Sequence, residues 1–128
     1  MLSQREFARA AGMAREIDLT TYGRKTGRPS RRTMWVTTDR HDRVHIRSGH
    51  GLARDWPQNL LANAHAIVHM NGQDVAVRAR RVIDRDELRA SHDALEQKYG
   101  WELPSSRPGE ALTLPERATF ELVPAVHA

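Results

Sequence analysis

Residues 66–83 read AIVHM-NG-QDVAVRARRVI, and they decide the fold class. Two runs of strand formers flank Asn71-Gly72. A two-residue type I′ turn needs positive φ at both central positions, which Asn and Gly supply most readily. Downstream of the turn, Val75, Val77 and Ala79 fall on one side, with Asp74, Ala76, Arg78 and Arg80 on the other. That period of two predicts a half-buried antiparallel hairpin.

Working outward, the same pattern recurs. Ile17–Thr21 alternates as a short strand, Met34–Thr38 is rich in strand formers, and Val44–Ser48 alternates after the polar turn Asp39–Asp42. Thr119–Val123 is a last strand, ended by Pro124. Helices are predicted around these strands. One covers 3–16, with a Ser3/Glu6 capping box and an apolar face of Phe7, Ala11 and Met13–Ala14. A short one over Trp56–Leu61 is capped by Asp55. A third is opened by an Asp84/Glu87 box, runs to Tyr99 and closes at Gly100. About six strands in 128 residues favour a mostly antiparallel closed or split β-barrel over an open sheet with two bare edges. The expectation is one domain over 1–128: an N-terminal helix (1–16), then a barrel (17–123) with inserted helices.

Composition narrows the function classes. There is no cysteine, which excludes disulfides, thiolate metal sites and cysteine nucleophiles. No apolar run approaches the ~20 residues that span a bilayer, and the first residues lack the apolar region of a secretory signal. The expectation is a cytoplasmic protein without a membrane span. Apolar residues are only 39% of the chain, which points to burial supplied from outside, by a cofactor or by a second copy in a homodimer.

The net charge is +4, and residues 23–32, GRKTGRPSRR, hold five cations and no acid, so the remainder is net negative by one. No acidic residue occurs between Asp18 and Asp39. A solvated connection is the plainer reading of such a loop. Its concentrated charge and glycine frame favour a polyanion site: arginine forks bind phosphate or carboxylate, Lys25 adds a mobile charge, and Gly23 and Gly27 permit close approach. A DNA reading rests on Gly27-Arg28-Pro29, but the flanking Thr26 and Ser30 are not cations and aromatic residues are few, so no nucleic-acid partner is expected. His41/His45 and His65/His69 are each spaced by four, yet they fall on or beside strands with no carboxylate to complete a ligand set. No metal is expected.

The run Thr20-Thr21-Tyr22-Gly23-Arg24-Lys25-Thr26-Gly27-Arg28-Pro29 resembles the signature T-x-x-G-R-K-S/T-G-x-P. The run Asp55-Trp56-Pro57-Gln58-Asn59-Leu60-Leu61-Ala62-Asn63 resembles D/A-W-x-x-N-L-x-A-N-P. With the Asn-Gly hairpin following, the order is similar to that of the deazaflavin-dependent nitroreductase or quinone-reductase group of the flavin-reductase split barrels, well over residues 17–83. The resemblance implies a six-stranded split barrel, often dimeric. It binds coenzyme F420, and the reduced cofactor passes a hydride to a nitroaromatic, quinone or activated alkene. Some relatives bind FMN, haem or lipid instead, so a non-catalytic binding protein is the alternative.

By that resemblance Arg24, Lys25 and Thr26 meet the acidic tail. Relatives often carry a cation where this chain has Ser30, so Arg28 or Arg31 would have to substitute. Ser48, Gly49 and Arg54, in the loop 48–54, approach the ring, with Met34 beneath it and Trp56 beside it. Asn59 fixes the loop by hydrogen bonds to backbone. Met34 and Trp35, on opposite faces of one strand, cannot share a pocket. Hydride chemistry needs no general base from the protein. Ser48, His50 and Tyr99 are candidates for a proton donor, and Tyr99 and Trp101 for the acceptor pocket.

Overall fold

A computed structural model describes residues 2–100 and 104–125; Trp101 lies outside them. Seven strands form one antiparallel sheet: β1 (Ile17–Tyr22), β2 (Pro29–Met34), β3 (Thr37–Thr38), β4 (Val44–Arg47), β5 (His65–Met70), β6 (Gln73–Arg81) and β7 (Thr119–Pro124), in the order β2-β1-β5-β6-β7-β4-β3. β2 and β3 sit at opposite ends of that order, yet only Trp35 and Val36 separate them in the chain. Three Cα steps reach about 10–11 Å, whereas the edges of a flat seven-stranded sheet lie about 29 Å apart. The sheet must therefore curl until its ends meet.

The curl is made by one bent segment. Residues 29–34 pair with β1 in the register Ile17↔Met34 to Tyr22↔Pro29, and residues 37–38 then pair with β4. A strand that changes partner at a bend is the usual way to turn a sheet corner. The strand expected over 34–38 is thus broken at Trp35-Val36, while residues 29–32, read as part of the cationic loop, pair with β1 because they continue its register, and the count among the described residues is seven rather than six. At the bend Val36 is buried and Trp35 exposed, and Met34 and Trp35 border different recesses, as expected. The bend breaks the ladder, and side chains replace it. The Val36 carbonyl accepts from Lys98 Nζ at 2.7 Å, and its N–H donates to the Tyr99 hydroxyl at 3.3 Å.

The hairpin β5–β6 forms as expected, with Asn71 at φ 51° and Gly72 at φ 71°, and Val77 buried. Helix α1 (Gln4–Met13) carries the Ser3/Glu6 capping box but stops three residues early, and Met13 is exposed rather than apolar-facing. Phe7, Ala8 and Ala11 enter the core beside Leu19, Val36, Ile46, Val68, Phe120 and Leu122. Phe7 is completely buried, so truncating it to alanine would cost about 3–5 kcal/mol.

Helix α2 (Asp55–Ala62) starts one residue before the expected position. Arg54 is the N-cap without a side-chain bond, and Asp55 sits in the first turn, where its charge suits the helix dipole. Helix α3 (Arg85–Tyr99) is capped by Asp84, which accepts from the Glu87 N–H, and closes at left-handed Gly100. The reciprocal half of the expected box is missing because the Glu87 carboxylate is held by Arg80 and His45 instead. A single turn, α4 (Leu114–Arg117), carried no expectation. Among the described residues no helix is long and apolar enough to cross a membrane.

Candidate functional site

The cationic connection between β1 and β2 is a tight frame rather than a slack loop. The Gly23 N–H donates to the Arg28 carbonyl at 2.8 Å, and the Gly27 N–H to the Gly23 carbonyl at 2.8 Å. Thr26 Oγ1 accepts from the Arg28 N–H at 3.2 Å. Gly27 sits at φ 72°, which an L side chain adopts only with strain. Buried Asn59, on α2, clamps the frame from below. Its Oδ1 accepts from the Arg24 N–H at 3.2 Å, and its Nδ2 donates to Thr21 Oγ1 at 3.1 Å.

The charged ends are left outward. Lys25 and Arg28 are exposed and make no ion pair with described residues, and Arg24 has only a 3.5 Å contact with exposed Asp55. Exposed pairs of that kind are worth ~1 kcal/mol or less, so the three cations remain available to an incoming anion. They rim a recess of about 280 Å³ with Thr26, Pro29, Ser30 and Asp55.

Arg31 does not belong to it. The residue lies on β2, where Thr20↔Arg31 and Asp18↔Thr33 are neighbouring register pairs. Its Nε donates to Asp18 Oδ2 at 2.8 Å. The Thr33 hydroxyl and then Arg31 hold the Asp18 carboxyl below its ordinary value. The cation missing at Ser30 is therefore not supplied by Arg31, and Arg28 is left to do so. Arg32, one position on and facing the other way, borders the next recess.

That recess is a groove of about 320 Å³ between the end of β2 and the segment after β4. It brings together Met34, Ser48, Gly49, His50, Arg54 and Trp56, all picked out in the sequence for a ring site. Asp55 borders both recesses, so the cationic rim and the groove adjoin. The walls are fixed. The Ser48 N–H donates to the Ala118 carbonyl and the Gly51 N–H to the Ser48 carbonyl, both at 3.1 Å. Gln58 Nε2 donates to the Leu52 carbonyl at 2.8 Å. Trp56 packs tilted against Phe120, with ring centroids 5.9 Å apart. Around Gly49 no atom lies within 4 Å of where a Cβ would stand, so the backbone there is open to close approach. A flat ring with an anionic tail suits this pair of recesses: Met34, Trp56 and the bare backbone of Gly49 offer it faces and an edge among the polar residues of the groove, and unspent cations lie at the other end.

Tyr99 is placed elsewhere. Its hydroxyl lies 2.7 Å from the Arg15 carbonyl and 3.2 Å from that of Val36, and its ring stacks on Trp35 at 4.1 Å and 6°. Burial pushes its pKa up. It pins α3 to the strand bend and borders neither recess. Ser48 and His50 stay in the groove.

Sequence reasoning missed Arg47, at the inner end of the groove, although its alternation with His45 in β4 was there to be read. It also missed the buried charge cluster under α3. There His45 Nε2 meets Glu87 Oε2 at 2.7 Å, and Arg80 Nη2 bonds Glu87 at 2.6 Å and Glu121 at 2.7 Å. His69 bonds Thr20 and Asp74, each at 2.7 Å. Among the described residues no three metal-ligating side chains gather.

Residues 4–105 match the model of a family described as F420H(2)-dependent quinone reductase. A comparison with curated proteins finds no match. Among solved structures the chain is similar to one named F420 reductase (17% identity, covering 92% of each chain, TM-score 0.56). It is similar to the haem storage protein HutZ of Vibrio cholerae (13% identity, 99% of this chain and 93% of that one, TM-score 0.64). A third is a Listeria innocua protein described provisionally as a pyridoxamine 5'-phosphate oxidase (14% identity, 94% and 92%, TM-score 0.64). At these identities the likeness is one of fold, that of the split barrels.

Proposed function

The chain belongs to the F420H(2)-dependent quinone reductase family, and from that premise we propose that it seats coenzyme F420 across the two adjoining recesses and serves hydride transfer to a small organic acceptor: a quinone, a nitroaromatic or an activated alkene. The observation that carries the proposal is the junction at Asp55 between a cationic rim without strong acid partners and a groove walled by Met34, Gly49 and Trp56.

Arg24, Lys25 and Arg28 hold the phosphate and carboxylates of the tail by charge-assisted hydrogen bonds, with the loop already shaped by Asn59 and Thr26. Met34 and Trp56 flank the ring and keep water from it. Ser48 and Gly49 bring main-chain groups to its polar edge. When bound and reduced, the cofactor supplies the hydride. The chain's part is to hold the acceptor at roughly 3–3.5 Å and to pass it one proton, for which His50 and Ser48 stand in the groove. A haem- or lipid-binding role gains no support from HutZ, whose likeness is of fold alone. The homodimer belongs to the proposal too.

Titrating the purified protein with F420, FMN and a DNA oligomer, followed by fluorescence, tests this reading. F420 is expected to bind at micromolar or better and to weaken with salt. Arg24→Ala with Lys25→Ala removes two charge-assisted contacts of about 1.5–3 kcal/mol each, so the affinity should fall about a hundredfold or more. Equal affinity for FMN, untouched by the double change, overturns the proposal. Turnover with a one-ring benzoquinone or nitroaromatic then tests the enzyme.

A further inference from the structure

Behind the groove, between α3 and the outer face of β4, lies a second cavity of about 170 Å³. Its apolar walls are Trp35, Ile46, Leu95, Pro104 and Pro115, and Thr37, His45 and Ser91 line it as well. Arg47 and Gly49 border this cavity and the groove alike, so the two spaces meet at those residues. An apolar cavity of about 150 Å³ takes up a benzene ring. By size, this one holds a single six-membered ring.

Arg47 is the unusual wall. Its Nε is buried and has no hydrogen-bond partner. Its Nη2 reaches only Ser91 Oγ, at a long 3.5 Å. Among the described residues no carboxylate forms an ion pair with it. Burial pushes its pKa down, and the acid acting the other way, Glu116, is already bound to Ser106 and Thr113. Nearby, buried Glu87 is held by His45 Nε2 and by half-exposed Arg80, and His45 Nδ1 is, like Arg47 Nε, buried without a hydrogen-bond partner. A guanidinium stays charged at any ordinary pH, and half-buried Arg47 keeps its Nε away from water without a partner, which is costly. Arg47 therefore stands at the mouth of a ring-sized apolar space with its binding capacity unspent.

We infer that this cavity is the acceptor's recess, and that it selects a single-ring molecule carrying an ionised oxygen, such as a carboxylate or a quinonoid enolate, held by Arg47. The acceptor part of the inference rests on the F420 reading; the anion site does not. An ionised oxygen on Arg47 leaves the ring between Trp35 and Leu95, with Gly49 as the open passage to the groove. Large fused-ring acceptors are excluded from the recess by volume.

Calorimetry on the protein without cofactor tests it, using benzoate and its neutral isostere benzamide as probes. Benzoate should bind at least tenfold more tightly than benzamide. Arg47→Met should erase that preference without lowering the melting temperature, and Arg47→Lys should keep part of it. In the loaded enzyme, benzoate should raise KM for the acceptor and leave kcat alone. Equal affinity of the two probes for the unaltered protein overturns the inference whether or not the variants fold. An F420 titration of the same sample separates the two readings. F420 bound with no preference for benzoate refutes the recess alone, and benzoate preferred without F420 binding refutes the acceptor assignment together with the proposed function.

Discussion

Replacing Asn59 by alanine tests whether the cationic loop is shaped before its ligand arrives. Asn59 is 3% exposed and joins two parts of the chain, accepting from the Arg24 N–H and donating to Thr21 Oγ1. Truncation deletes both bonds and leaves the Thr21 hydroxyl, itself 1% exposed, without its donor. A net hydrogen bond contributes about 1 kcal/mol, and a stranded buried polar group costs about 1–3 kcal/mol. The expected loss is about 2–4 kcal/mol. At about 4 °C per kcal/mol for a domain of this length, the melting temperature should fall by roughly 8–16 °C. The cofactor must then order a loop the protein no longer orders, at about 1–2 kcal/mol per residue fixed, so F420 affinity should drop about tenfold. Thermal melts and fluorescence titrations on one preparation measure both. Thr21→Val is the control. It strands Asn59 Nδ2 but leaves Arg24 held, and should lower the melting temperature by about 4–12 °C with F420 affinity unchanged. If Asn59→Ala melts early yet binds F420 as before, the loop is not preorganised by this clamp and the reasoning fails.

Gly51→Ala meets two obstacles at once. Its φ is 63°, and a Cβ would stand 3.1 Å from the Leu114 carbonyl oxygen. Melting should fall by at least about 4 °C and F420 should weaken several-fold as the Gly49–His50 wall shifts; unchanged titration curves would show that this wall does not meet the ring. Tyr99→Phe should cost about 1–2 kcal/mol and leave kcat within twofold, because the hydroxyl serves the strand bend; a tenfold fall in kcat at unchanged stability would reinstate it as a proton donor. Stability should also decline in acid. Burial holds the His45 pKa below its ordinary 6.5, so the unfolded chain takes up that proton first. This contribution is whole above pH 6.5 and lost as pH falls beneath it. Glu87, held below 4.5 chiefly by Arg80 against the opposing pull of burial, adds a second loss further down. In melts from pH 8 to 4.5, His45→Gln should flatten the upper limb, and curves that stay parallel to the unaltered protein would refute the assignment.

What the sequence revealed was whatever short-range chemistry decides. The Asn71-Gly72 turn, the Ser3 cap and the Gly100 stop each depend on a few adjacent residues, and each stands where it was expected. Asn59 was expected to fix the loop 48–54; it clamps the cationic loop instead, through the Arg24 N–H and the Thr21 hydroxyl. What stayed hidden was set by partners distant in the chain. Residues 34–38 read as one strand because Trp35 and Val36 are good strand formers; only the meeting of the sheet's two ends, with Lys98 and Tyr99 from α3, turns them into a corner. Arg31 looked free because its acid, Asp18, lies 13 positions away and becomes a neighbour only in register. Arg47 was overlooked because an arginine ending a strand is ordinarily solvated, and its burial comes from α3 and α4 folding over it.

The bend at Trp35-Val36 has a mechanical consequence. Past it, the edge of β2 away from β1 and the side of residues 46–47 of β4 away from β7 have no strand beside them, and both recesses that meet at Arg47 open along this unzipped flank. A guest lodged there acts as a stitch across this gap in the cylinder's wall. Occupancy then tightens the whole circumference rather than one loop, and resistance to heat should climb with the logarithm of ligand concentration once that exceeds Kd.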